Sequence, residues 1–250
     1  LKKKLSVLLL FVLLITGCTA TKEETKSDEF TVYLVRHGKT FFNTTGQVQG
    51  FADSPLTEAG IEGAKKAGVA LKDIEFESVY TGDLGRQRNT ARIIIEENNK
   101  KEVPFNEHIG FQEWNYGGFE GKTNAEMWTP IMEKHGFTFD EDWTDYEALM
   151  AKIGDRGAAD EIAALDPLKA AESYDEIVER GTDALDTLVK ESKGGNILVV
   201  SSGGMIPTMM EIALPGVYNG EIIENSSITI LKYSNGKYSI ESINDIRHLD

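Results

Sequence analysis

The chain has 250 residues, a formal net charge of −15 and a single cysteine. Its length suits one α/β domain carrying an insertion, with enough chain to bury a substantial core. The acidic balance argues against nucleic-acid binding. One cysteine excludes an intrachain disulfide and a cysteine-cluster zinc site.

Lys2, Lys3 and Lys4 precede a short apolar run from Leu5 to Ile15. The run falls short of the ~20 residues that span a bilayer. It therefore reads as a signal peptide over residues 1–17. It ends in Ile15-Thr16-Gly17-Cys18, which resembles the lipobox of bacterial lipoproteins. The expected product is exported and held on the extracytoplasmic side of a cell membrane by a lipid at Cys18. A generic signal peptide or an uncleaved anchor are the plainer alternatives. Residues 18–29 are polar and aperiodic, as in a flexible tether.

Residues 30–250 read as the folded domain. Thr31 to Val35 is a β-branched and apolar strand that stops at Arg36-His37-Gly38. Thr57 is placed to cap a helix with Ile61, Ala64, Gly68 and Leu71 on one face. Phe76 to Tyr80 predicts a second strand, and Asp83 the cap of a helix that turns Ala91, Ile94 and Ile95 inward. Val103 to Phe105 is a third, short strand. Residues 122 to about 172 break the alternation. They are acidic, contain Trp128 and Trp143, and predict a mostly helical insertion over the carboxyl edge of the sheet.

Ser173 to Val189 is an amphipathic helix with Ile177, Ala184, Leu185 and Leu188 as its apolar stripe. Asn196 to Val200 is a continuous apolar strand, as in a sheet covered on both faces. Ile228 to Tyr233 and Tyr238 to Ile243 flank an Asn-Gly turn and predict a hairpin. The expected class is α/β: a three-layer sandwich with a mostly parallel sheet, helices on both faces and a helical cap insertion.

Three loops follow strands directly: Arg36-His37-Gly38, Asp83-Leu84-Gly85-Arg86 and Ser201-Ser202-Gly203-Gly204. Parallel neighbours would bring them to one end of the sheet, where open α/β sheets bind ligands. Two guanidinium forks, an imidazole and a glycine-rich helix start suit a phosphate group. Trp114, Trp128 and Trp143 read as packing residues, and Asp140-Glu141-Asp142 as a solvated face.

These blocks resemble the histidine phosphatase superfamily, which includes the cofactor-dependent phosphoglycerate mutases. The resemblance runs from about Thr31 to His248. It rests on Arg36-His37-Gly38-Lys39-Thr40 with Asn43, on Gln49-Gly50, Asp53 to Thr57 and Gly60, on Tyr80 to Arg86, and on Glu113 to Gly121. It implies a phosphomonoesterase acting on a small phosphorylated substrate, with no metal or organic cofactor. His37 would be the nucleophile and form a phosphohistidine. Glu113 would be the proton donor, with Glu107 and Glu120 as nearby competitors for that role. Arg36, Asn43, Arg86, Ser202 and Gly203 would hold the phosphate. An exported location argues against a glycolytic mutase.

One position departs from the resemblance. In Val199-Val200-Ser201-Ser202-Gly203-Gly204 the family carries a second pocket histidine where this chain has Ser202. None of His108, His135 and His248 lies in that block. The smaller side chain is expected to leave space for a bound water and to lower the rate. The alternative is a catalytically weak or inactive lipoprotein that binds phosphate ligands at the surface.

Overall fold

A computed structural model describes residues 29–98 and 102–250. The expected signal peptide, Cys18 and nearly all of the tether lie outside these residues. Among the described residues, no helix is long and apolar enough to cross a membrane.

Six strands form one sheet: β1 (Phe30–Arg36), β2 (Phe76–Thr81), β3 (Phe105–Glu107), β4 (Gly195–Ser201), β5 (Ile228–Ser234) and β6 (Lys237–Asp245). Their spatial order is β3-β2-β4-β1-β5-β6. β4 pairs in parallel with both β1 and β2, and β5 runs antiparallel to β1. Asn235 and Gly236, with φ of 54° and 77°, make the β5–β6 turn. Positive φ at both positions suits the right-handed twist of a hairpin.

β4 explains the layering. Ile197 and Val199 enter one apolar core, and Leu198 and Val200 enter the other. A strand alternates faces every residue, so a continuous apolar run requires cover on both sides. Helices α2 (Glu58–Ala70) and α3 (Gly85–Glu97) cover the smaller core with Ala67, Ala91 and Ile94. Helices α6 (Tyr174–Glu191) and α7 (Met205–Ala213) cover the larger with Ile177, Leu188, Ile206 and Met209. The insertion supplies α4 (Asn124–His135) and α5 (Tyr146–Leu165), which is broken at Gly154 with φ of 63°. A short helix, α1 (Phe41–Thr45), follows β1.

Three local expectations are corrected. Ile61 is exposed, and α2 buries Gly60, Ala64, Ala67 and Gly68. Small residues face inward there because α2 lies directly on neighbouring backbone. Leu84, not Asp83, precedes α3, and the Gly85 N–H donates to Asp53 at 2.7 Å. A carboxylate from a distant loop thus takes the position at the helix start, while Asp83 accepts from Gln112. β3 begins at Phe105 instead of Val103, just beyond Pro104, which has no N–H to give to a ladder.

The packing of α2 holds the loop that follows β1. A Cβ on Gly60 would collide with the Lys39 carbonyl, and one on Gly38 with the Gly60 carbonyl. Gly60→Ala is expected to lower stability by about 1–3 kcal/mol through this overpacking, read as a lower urea midpoint.

Candidate active site

The parallel pairing of β1, β4 and β2 brings three loops to one edge. The His37 N–H donates to the Ser201 carbonyl at 3.0 Å, one step beyond the paired strands. His37 is 2% exposed. Its Nδ1 lies 2.9 Å from the Gly38 carbonyl. Only a protonated Nδ1 can make that bond, so in the neutral ring Nε2 carries the free lone pair. Burial, then Arg86 and Arg36, hold the imidazole well below its usual range. These shifts favour the neutral imidazole, whose Nε2 lone pair has the chemistry of a nucleophile.

The groups around it are rich in donors. The Nε atoms of Arg36 and Arg86 and the Nε2 of Gln49 are buried without a protein partner. Unpaired buried donors are rare and costly; Arg36 and Gln49 line the cavity beside His37 and suit an anion, whereas Arg86 lies behind that lining. Burial also pushes the Arg36 guanidinium down. The remainder of Arg36 is fixed by a bond from Nη1 to the Ile223 carbonyl. Gly203 lies against its guanidinium.

Arg86 has a different position from the one the sequence suggested. It is fully buried beneath the 49–53 loop, donating to the carbonyls of Gln49, Gly50 and Ala52 and pairing with Asp53 at 3.0 Å. It acts on His37 through its charge and organises the loop that carries Gln49. Glu120 secures the same loop, accepting from the N–H groups of Gly50, Phe51 and Ala52.

Glu113 is separated from its competitors. Its carboxylate accepts from the Gly204 N–H, with Oε2 at 2.9 Å, at the start of α7. It lines the same cavity as His37. Glu107 instead pairs with Arg88 on the surface, and Glu120 is held by the loop N–H groups. Arg180 fixes the Glu113 segment by donating to the carbonyls of Gln112 and Glu113.

Asn43 also lines the cavity. Its Oδ1 accepts from the Thr40 N–H in a capping box, which orients the amide. Asn225, absent from the sequence expectation, donates to the His37 carbonyl at 2.9 Å. Only a polar cluster before β5 hinted at it. Gln49 was visible within a matching block but had no separate chemical signal.

Ser202 is fully buried and does not line the cavity, although Gly203 and Gly204 do. Its Oγ accepts from Gln87 Nε2 at 2.8 Å, and the same nitrogen donates to the Phe111 carbonyl at 3.0 Å. The expected extra room is thus taken by a glutamine amide. No other histidine compensates. His108 is near Asp183, His135 meets Glu161, and His248 meets the Ser226 carbonyl.

The cavity above His37 has a volume of about 340 Å³. Its walls include Met127, Trp128, Trp143, Tyr146 and Tyr218, together with Trp114 and Tyr116. Trp114, Trp128 and Trp143 were expected only to pack. They do pack, Trp128 and Trp143 edge-to-face at 5.8 Å, but they also shape the cavity. Among the described residues, no group of three or more His, Cys, Asp or Glu is arranged to hold a metal ion.

The Histidine phosphatase superfamily (branch 1) profile matches residues 32–147 and 130–246. The chain belongs to this superfamily. It is 29% identical over 221 residues to phosphoglycerate mutase-like protein 4 of Arabidopsis thaliana, covering 88% of this chain and 86% of that one. It is 28% identical to a metal-independent phosphoserine phosphatase of the same plant, covering 90% and 85%. The crystal structure of phosphoglycerate mutase from Bacillus anthracis aligns with a TM-score of 0.80 at 33% identity, covering 90% of this chain and 97% of that one. A phosphoserine phosphatase from Entamoeba histolytica, solved in complex with 3-phosphoglyceric acid, aligns with a TM-score of 0.63 at 26% identity, covering 88% and 99%. Superfamily relatives therefore include both mutases and phosphatases that handle small phosphorylated compounds.

The Gln87–Ser202 contact makes the two positions interdependent. Ser202→His alone is expected to lower stability by about 1–3 kcal/mol, because the imidazole enters space filled by the amide. Adding Gln87→Ala is expected to recover most of that loss, giving a clear coupling in a double-mutant cycle of thermal unfolding.

Proposed function

We propose that the protein is a phosphomonoesterase that works through a phosphohistidine at His37. The supporting observation is a buried, neutral imidazole with free Nε2 that shares a cavity with the unpaired donors of Arg36 and Gln49. Nε2 attacks phosphorus, a new N–P bond forms and the P–O bond to the alcohol breaks. Glu113, in its carboxylic-acid form, gives its proton to the leaving oxygen. The resulting carboxylate takes a proton from water as that water attacks phosphorus. The N–P bond breaks, and inorganic phosphate leaves.

Arg36, with the Asn43 amide and the Gly203 end of α7, stabilises the phosphoryl oxygens. Arg86 adds charge from below. Ser202 supplies less than an imidazole would, since its Oγ is engaged by Gln87. That contact supports a reduced rate, and its extreme is a protein that binds phosphate without turnover. We also propose export and lipid attachment at Cys18, on the strength of the lipobox-like sequence.

Hydrolysis of an aryl phosphate by the full-length protein tests the enzyme. Activity is expected to fall by at least about 10³-fold in His37→Ala, and by about 10²–10⁴-fold in Glu113→Gln with a poor leaving group. Turnover indifferent to His37→Ala would sink the assignment. Absent wild-type turnover, with phosphate still bound, would favour the binding protein. For the anchor, Cys18→Ala is expected to move the protein from the membrane fraction to the soluble one, and unchanged retention would refute lipidation.

A further inference from the structure

The cavity has two electrostatic ends. Its cations, Arg36 and Lys39, lie at the His37 end. The walls contributed by α4, α5 and the segment before β5 contain no Lys, Arg or His. Their ionisable groups are Tyr146, Tyr218 and Asp155.

Asp155 follows the break at Gly154 in α5, which turns the chain so that Asp155 lines the cavity instead of continuing one helical face. It also borders a neighbouring cleft of about 720 Å³ between α5, α6 and α7. Among the described residues, no hydrogen bond or ion pair engages its carboxylate. The ionisable groups facing it are the carboxyls of Glu211 from α7 and Glu113 from the cavity floor, neither of which offers a counter-ion. The phenols of Tyr146, Tyr174 and Tyr218 lie within reach of its charge. The adjacent Arg156 is occupied by Asp175, at 2.8 Å.

A partly buried carboxylate without a counter-ion is costly, and a ligand cation would relieve that cost. Aromatic walls add attraction, because the face of a tyrosine or tryptophan ring is negative. A ligand carboxylate would meet only like charge and uncharged groups. We infer that Asp155 and the surrounding aromatic wall select phosphomonoesters whose alcohol portion bears a positively charged nitrogen, and reject those bearing a carboxylate. The preferred substrate class is the phosphorylated amino alcohol, with phosphate at the arginine end and ammonium at the Asp155 end. This inference rests on the proposed phosphomonoesterase reading for the orientation of the ester.

Burial and the two nearby glutamates push the Asp155 carboxyl from 3.8 up to about 6. Above that pH the group is charged and attracts the ammonium; below it the attraction is lost. Selectivity for the amine therefore rises as pH increases through about 6.

Three esters of similar size test this in the full-length protein: phosphoethanolamine, propyl phosphate and 3-phosphoglycerate. Propyl phosphate replaces the ammonium by a methyl group. Phosphoethanolamine is expected to exceed propyl phosphate in kcat/KM by about tenfold, the scale of one charge-assisted contact, with 3-phosphoglycerate lowest. In Asp155→Asn the ratio between the first two is expected to approach one and lose its pH dependence. In Asp155→Lys the order of phosphoethanolamine and 3-phosphoglycerate is expected to reverse. Calorimetric binding of the same esters to His37→Ala reads the preference without turnover. Equal turnover of all three esters would overturn amine selection and leave the phosphatase standing. Selective binding without wild-type turnover would do the reverse. A wild-type preference for 3-phosphoglycerate, or a ratio unchanged in Asp155→Asn, would overturn the inference.

Discussion

The structure depends on the parallel pairing of β4 with both β1 and β2. Parallel strands end at the same edge, so pairing Arg36 with Ser201 and Thr81 with Val200 fixes where the following loops begin. The hydrogen bond from His37 to Ser201 continues that order beyond the sheet. Every later feature of the site uses this edge: the imidazole after β1, the buried arginine after β2 and the helix start after β4. A slip of one residue would reverse the faces of β4 and move both cores at once.

The loops are then held by charges placed against backbone. Glu120 gathers N–H groups from 50–52, Arg86 gathers carbonyls from 49–52, and Arg180 gathers carbonyls from the Glu113 segment. Each clamp leaves an adjacent side chain facing the cavity. The local cost appears in half-buried Arg36 and buried His37, both with depressed proton affinity. Positive groups and unpaired donors crowded in a low-dielectric site favour a bound anion without needing to reorganise. At the outer end the balance inverts, with aromatic rings and Asp155 in place of cations. The cavity is therefore electrostatically asymmetric, with cations near His37 and a carboxylate among the aromatic rings.

Ser202 illustrates how a substitution is absorbed by packing. The loss of an imidazole suggests an opening, yet Gln87 from α3 fills it and satisfies the Ser202 hydroxyl. The amide is attached to α3 behind the cavity, so it fills volume without adding a charged group to the cavity wall. Close packing in protein interiors makes such exchange more economical than a void.

The sequence by itself determined the layered α/β class, the succession of strands and helices, and the blocks from which the candidate site is built. Apolar runs and helical periodicity are local patterns, and Arg36-His37-Gly38 and Glu113 lie in contiguous blocks, so both kinds of signal survive without coordinates. Tertiary structure alone decided the partners. It put Asp53 at the start of α3, sank Arg86 beneath a loop, set Gln87 on Ser202, brought Asn225 to His37 and turned packing tryptophans into a cavity wall. These contacts join residues tens to nearly two hundred positions apart. Their energies depend on burial and geometry, which no local pattern encodes.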